Sequence, residues 1–143
     1  MWSKTEYLGK LGLSFDHEML DNVARAEEVF SRFAGEPLDV MFIGTRLDED
    51  GVPRYGSLWY FSDSHVYYSP NFRSEEEVNY CINLRGTIKD CDIEMEDCDL
   101  SALTGKSRMS VTWSTLTDQA FNMNAHGDNC QQLFEIVRRF LLP

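Results

Sequence analysis

A chain of 143 residues with 43 % hydrophobic and 13 % aromatic side chains is long enough for one domain with a real core and too apolar for a disordered segment. Its 24 acids against 13 lysines and arginines leave a formal charge of −11, spread along the chain, which repels nucleic acid and anionic lipid at long range and suits a solvated acidic surface or a basic partner. No apolar run reaches the roughly 18–20 residues of a membrane span, and the start, M-W-S-K-T-E-Y-L-G-K-L-G-L, lacks the apolar region of a signal peptide. A cytoplasmic setting is therefore expected, with peripheral contact at a membrane kept open. Cys81, Cys91, Cys98 and Cys130 are expected to be reduced thiols there.

Residues 1–36 read as an N-terminal segment built on one amphipathic helix. Asp16 is placed to cap it, and Glu18 in its first turn favours the helix dipole. Met19, Val23, Ala26, Phe30 and Phe33 recur at three- and four-residue steps and form one stripe. Gly35 and Pro37 stop the helix. Such a stripe ordinarily packs on its own domain; the sharper alternative makes Met19, Val23, Phe30 and Phe33 a protein-binding surface.

From Leu38 the period falls to two, giving a strand that ends near Arg46 and a turn at Asp48-Glu49-Asp50-Gly51. The stretch Arg54 to Pro70 holds two aromatic-rich runs divided by Ser62-Asp63-Ser64-His65, a hairpin pattern. Leu58, Tyr60 and Tyr67 fall on one face and Trp59, Phe61 and Tyr68 on the other, so both faces need cover. Asn71 to Glu77 reads as a loop, Val78 to Leu84 as a strand and Ile88 to Met95 as a weaker strand. Glu96 to Lys106 is a loop. Met109, Val111 and Trp113 then pair with Ala120, Phe121 and Met123 as a second hairpin. A closing helix runs from Asp128 to Leu141, with Cys130, Leu133, Val137, Phe140 and Leu141 on one face.

In this frame, Gly56-Ser57-Leu58-Trp59-Tyr60-Phe61-Ser62 with Val66-Tyr67-Tyr68-Ser69 resembles the hairpin of GRAM domains, members of the pleckstrin-homology-like superfold. Ile82-Asn83-Leu84-Arg85-Gly86-Thr87-Ile88 is similar to the strand that follows it there, and Arg108 to Leu141 to the closing strands and helix. The resemblance spans about residues 38–142 and leaves the first helix outside it. It implies an α+β fold: a bent antiparallel barrel or sandwich of about seven strands over residues 37–143, closed by the C-terminal helix, with an additional N-terminal helix. It also implies a module that binds rather than catalyses, with a phosphoinositide headgroup or a protein as ligand.

For an anionic headgroup the matching cations are Arg46 and Arg54, with Arg73, Arg85 and Lys106 as further candidates if folding gathers them. Asp48, Glu49 and Asp50 lie between the first two and oppose that use. A protein partner is thus placed ahead of phosphoinositide, making the expected function a non-enzymatic adaptor. A small acidic antagonist of a basic protein, such as a nuclease or toxin, is a further alternative.

No cofactor is expected. His17, His65 and His126 stand in no G-x-S-x-G, H-E-x-x-H or P-loop setting, so none is expected to be catalytic. Cys91 and Cys98 lack the knuckle spacing of a zinc site.

Overall fold

The computed structural model describes residues 1–142, apart from the Thr87 side chain; Pro143, the last residue of the expected domain, lies outside the described residues. Two helices come first, α1 (Lys4–Lys10) and α2 (His17–Ser31). The strands are β1 (Val40–Leu47), β2 (Pro53–Phe61), β3 (His65–Ser69), β4 (Cys81–Leu84), β5 (Ile88–Glu96), β6 (Arg108–Thr115) and β7 (Ala120–His126). The helix α3 (Asn129–Ile136) follows and ends in a wider π turn over Val137–Leu141. The strands form two antiparallel sheets, ordered β1-β2-β3-β4 and β5-β6-β7. Of the two expected forms, barrel and sandwich, this arrangement is compatible with a sandwich, since no ladder among the described residues closes the sheets into a barrel.

Three elements differ from the sequence reading. The helix α1 was not expected, although Ser3 and Glu6 carry its signal: the Ser3 hydroxyl accepts from the Glu6 N–H and donates to the Glu6 carboxylate. The strand β4 begins at Cys81 rather than Val78, since the Asn71 side chain holds the approach instead, bonding Glu77 O and Asn79 N. The strand β5 is nine residues long and pairs with β6 along its length but for a bulge at Lys89, so it is not a weak strand.

The two faces of the central hairpin are covered differently. Tyr60 and Tyr67 face α2, whose Phe30 meets Tyr60 and Tyr80 edge-on and Tyr67 at a tilt, with centroids 5.4–5.9 Å apart. Trp59 and Tyr68, stacked at 4.0 Å, face the second sheet and meet Phe121 there; Trp59 also meets Trp113. The layers are therefore α2, the four-stranded sheet, and the three-stranded sheet. The helix α3 runs along β1, and its extension packs Phe140 on Phe61 at 5.5 Å. Residues of the N-terminal segment and of the sheets share one core, in which Tyr7, Phe30, Trp59 and Trp113 are all buried.

Among the described residues no strand forms a ladder with the outer edge of β1; β7 packs beside it, with His126 N–H donating to Thr45 Oγ1, and side chains satisfy the rest. The Tyr7 hydroxyl accepts from Ile43 N–H at 2.9 Å and donates to Asn129 Oδ1 at 2.6 Å. Asn129 Nδ2 donates to Ile43 O and to Thr45 Oγ1, and Gln132 Nε2 donates to Met41 O. Two helices from opposite ends of the sequence thus satisfy the backbone groups that a β-edge leaves bare.

Candidate functional site

The β1–β2 turn is built by Asp48. Its Oδ1 accepts from Asp50 N–H and Val52 N–H, both at 2.9 Å, and Gly51 takes the positive φ of 75° that the turn needs. Its Oδ2 accepts from Arg54 Nε at 3.0 Å and pairs with Nη2 at 2.9 Å. The strand register places Arg46 directly opposite Arg54. Two clefts meet here, sharing Thr45, Arg46 and Asn124. One of about 290 Å³ is lined by Arg54, Tyr55 and Ser57. The other, of about 710 Å³, is lined by Glu94, Glu96, Arg108 and His126.

The five candidate cations divide between the ends of the sheets. Arg73 lies in the β3–β4 connection, on the same end as Arg46 and Arg54, and Lys106 in the loop leading into Arg108. Arg85 is at the opposite end. There its Nε donates to Asp63 O and its Nη1 to Phe140 O, tying the β2–β3 turn to the C-terminal helix. The candidate that sequence reasoning missed is Arg108, which lines the same cleft as Arg46.

The charge at this end is mixed. Backbone hydrogen bonds, chiefly from Val52, with Arg54 beside it, hold the Asp48 carboxyl below its ordinary range. It stays ionised and neutralises Arg54. Burial lowers the His126 imidazole below its ordinary range, and the nearby Arg108 guanidinium lowers it further, while the Thr45 backbone acts in the opposite direction. His126 is therefore neutral at pH 7 and adds no cation; its buried Nδ1 has no partner among the described residues.

A second feature lies on β5. Among the described residues β5 pairs with β6 alone, so its other edge is open. Asp90, Asp92, Glu94 and Glu96 alternate along one side, all exposed. Cys91, Ile93 and Met95 alternate along the other, with Ile93 40 % and Met95 56 % exposed because the sandwich does not cover them. The signal was present in the sequence as K-D-C-D-I-E-M-E, a strict period of two.

The α2 stripe is placed differently from a docking surface. Met19, Val23 and Phe30 are at most 5 % exposed against the sheet, while Phe33, just past the helix end, is 71 % exposed. Of the four, only Phe33 presents surface to a partner.

Ser64, His65 and Glu36 come together at the β2–β3 turn, but not as a relay. Ser64 Oγ lies 2.7 Å from His65 Nδ1 and donates to Glu36 Oε1 at 2.7 Å; Glu36 Oε1 is 3.6 Å from the same Nδ1. A relay needs the hydroxyl and the carboxylate on opposite ring nitrogens. Glu36 also accepts from Ser62 Oγ at 2.5 Å, so the arrangement caps the turn. No group of three or more His, Cys, Asp or Glu side chains among the described residues is arranged to hold a metal. No helix among them is long and apolar enough to cross a membrane. Comparison with protein-family models, with curated proteins and with solved structures gives no match for this chain.

Proposed function

We propose that the chain is a non-enzymatic binding module of pleckstrin-homology-like, GRAM-like architecture, and that its partner is a protein engaged as an extended basic segment along β5. The observation that carries this reading is the open β5 edge, where backbone pairing is combined with a row of four acids and a row of apolar side chains. Strand addition draws affinity from main-chain hydrogen bonds and specificity from alternate side chains. A segment alternating Lys or Arg with Val or Ile would set its cations over Asp92, Glu94 and Glu96 and its apolar groups over Ile93 and Met95. The outer edge of β1 is not an equivalent site, since Tyr7, Asn129 and Gln132 occupy it. The alternative of an acidic antagonist of a basic protein uses the same row of carboxylates.

A second reading, an anionic headgroup between Arg46 and Arg54, rests on their opposed register at the small cleft. An amide-resolved NMR titration separates the two. One arm uses a nine-residue peptide alternating Lys and Val, the other soluble inositol phosphates. Saturable shifts along residues 88–96 with the peptide support the adaptor reading. Shifts at Arg46 and Arg54 with inositol phosphate alone replace it by the headgroup reading, and silence with the peptide sinks the β5 assignment.

A further inference from the structure

The outer face of the three-stranded sheet carries a cleft with acids on one wall and guanidiniums on the other. By strand register, Glu96 stands opposite Arg108 and Arg108 opposite His126; one step along, Glu94 stands opposite Ser110 and Ser110 opposite Asn124. Residues directly opposite share a face. This face is turned away from the core, since Met109 and Val111 of β6, with Met123 and Ala125 of β7, point the other way and are buried. The strand β1 packs beside β7, which brings Arg46 to the far side of the same cleft of about 710 Å³.

A cross-strand Glu–Arg pair ordinarily closes on itself. Here it does not: among the described residues Arg46, Arg108, Glu94 and Glu96 take part in no ion pair, and their side chains in no hydrogen bond. The row between them is only half engaged. Ser110 Oγ accepts from Asn122 Nδ2 at 3.1 Å, which leaves its O–H as a donor. Asn124 Nδ2 donates to Asn122 Oδ1, which leaves the Asn124 Oδ1 as an acceptor. One donor and one acceptor, set between carboxylates on β5 and guanidiniums on β6 and β1, complement a peptide group with a charged terminus on either side.

We propose that this cleft binds a short free peptide, a zwitterion of about three residues in extended form. Its ammonium terminus meets Glu94 and Glu96, a peptide group meets Ser110 and Asn124, and its carboxylate lies over β7 between Arg108 and Arg46. The length follows from the sheet: β5 and β7 are two strand spacings apart, roughly 10 Å, and three extended residues span about as much. Charge sets the class. The two carboxylates repel an inositol phosphate, and the two guanidiniums repel a polycation, whereas a zwitterion satisfies all four. The site is distinct from the β5 edge, which offers backbone groups, so either can fail without the other.

The test titrates the full chain with trialanine and follows the backbone amides by NMR. Saturable shifts are expected together at residues 94–96, 108–110 and 124–126. N-acetyl-trialanine lacks the ammonium and trialanine amide lacks the carboxylate; each should bind about tenfold more weakly, on the scale of one charge-assisted hydrogen bond. Arg108→Gln should weaken trialanine by a similar factor and leave trialanine amide unchanged. Glu94→Gln with Glu96→Gln should weaken trialanine and leave the acetylated peptide unchanged. All three side chains are exposed, so the variants keep the fold. Equal binding of free and blocked peptides overturns the proposal, as does silence at millimolar trialanine. Shifts confined to residues 88–96 also overturn it, because they report pairing at the edge and not occupancy of the face.

Discussion

Tyr7 shows how much a single hydroxyl can hold. Its ring is fully buried beside β1, and burial drives the phenol far above its ordinary range, so it stays neutral and is both donor and acceptor at every accessible pH. Tyr7→Phe keeps the ring but leaves Ile43 N–H and Asn129 Oδ1 unpaired in the interior. A loss of about 2–4 kcal/mol is expected, on the scale of one to two stranded polar groups, and is readable by urea denaturation. Asp48 is a residue with two roles that can be separated. Asp48→Asn keeps the oxygen that accepts from Asp50 and Val52 but removes the charge that holds Arg54. The turn should survive, and any affinity for inositol phosphates should rise severalfold in the same titration. No change would mean that Arg46 and Arg54 are not an anion site. The sequence identified Asp48 as an obstacle to anions by counting charge; that it also builds the turn depends on backbone geometry that counting does not reach.

Among the elements, the strands and the two long helices were legible because period two and period 3.6 are written in side-chain size alone. The ends of elements were not, because they are decided by local hydrogen bonds such as those of Asn71. The helix α1 escaped because seven residues are too few to display a stripe, even with a Ser-x-x-Glu start. The face of α2 was legible as apolar, whereas its destination depended on the tyrosines it meets. Phe30 is the contact that fixes it, touching Tyr60, Tyr67 and Tyr80. Phe30→Ala should cost about 3–5 kcal/mol through the cavity it leaves. Removing residues 1–36 should uncover that whole sheet face and yield aggregated or unfolded protein by circular dichroism and light scattering. A folded, monodisperse truncation would instead show α2 to be dispensable. Gathering of the cations was beyond the sequence: Arg46 and Arg54 stand together through strand register, and Arg85 is sent to the other end by the direction of β4.

At the level of the whole molecule, two opposite pH effects act on stability. Hydrogen bonds from Ser62 and Ser64 to Glu36, from Val52 N–H to Asp48, from Ser101 to Asp99 and from Lys89 to Asp118 hold these four carboxyls below their ordinary range. Each binds protons less readily folded than unfolded, so its contribution is present above the unfolded carboxylate range and is lost as the pH falls through the lowered folded values. Self-repulsion at a charge of −11 works the other way and relaxes on mild acidification. The lowered His126 imidazole opposes that gain, because it binds a proton less readily folded than unfolded and so loses stability as the pH falls below the ordinary histidine range. The melting temperature should therefore change little from pH 8 to about pH 5 and fall below about pH 4. Glu36→Gln should soften that acid-side fall. The same excess of charge sets the kinetics of binding: association with the Lys–Val peptide should be fast at low salt and slow steeply as salt increases, whereas Glu94→Lys with Glu96→Lys should flatten the dependence. Stopped-flow measurement at three ionic strengths decides this.

The closure of β1 by Tyr7 and Asn129 also bears on the order in which the chain can become a protein. These two residues are separated by 122 positions and meet on the backbone of the same residue, Ile43. During synthesis β1, β2 and β3 emerge early, with α1 and α2 already available, but the buried edge of β1 stays open to water, or to another nascent chain, until Asn129 has left the ribosome. Folding of the whole unit is thus tied to the arrival of its last helix, and the interval before that arrival is when an unguarded strand is most exposed to the wrong neighbour.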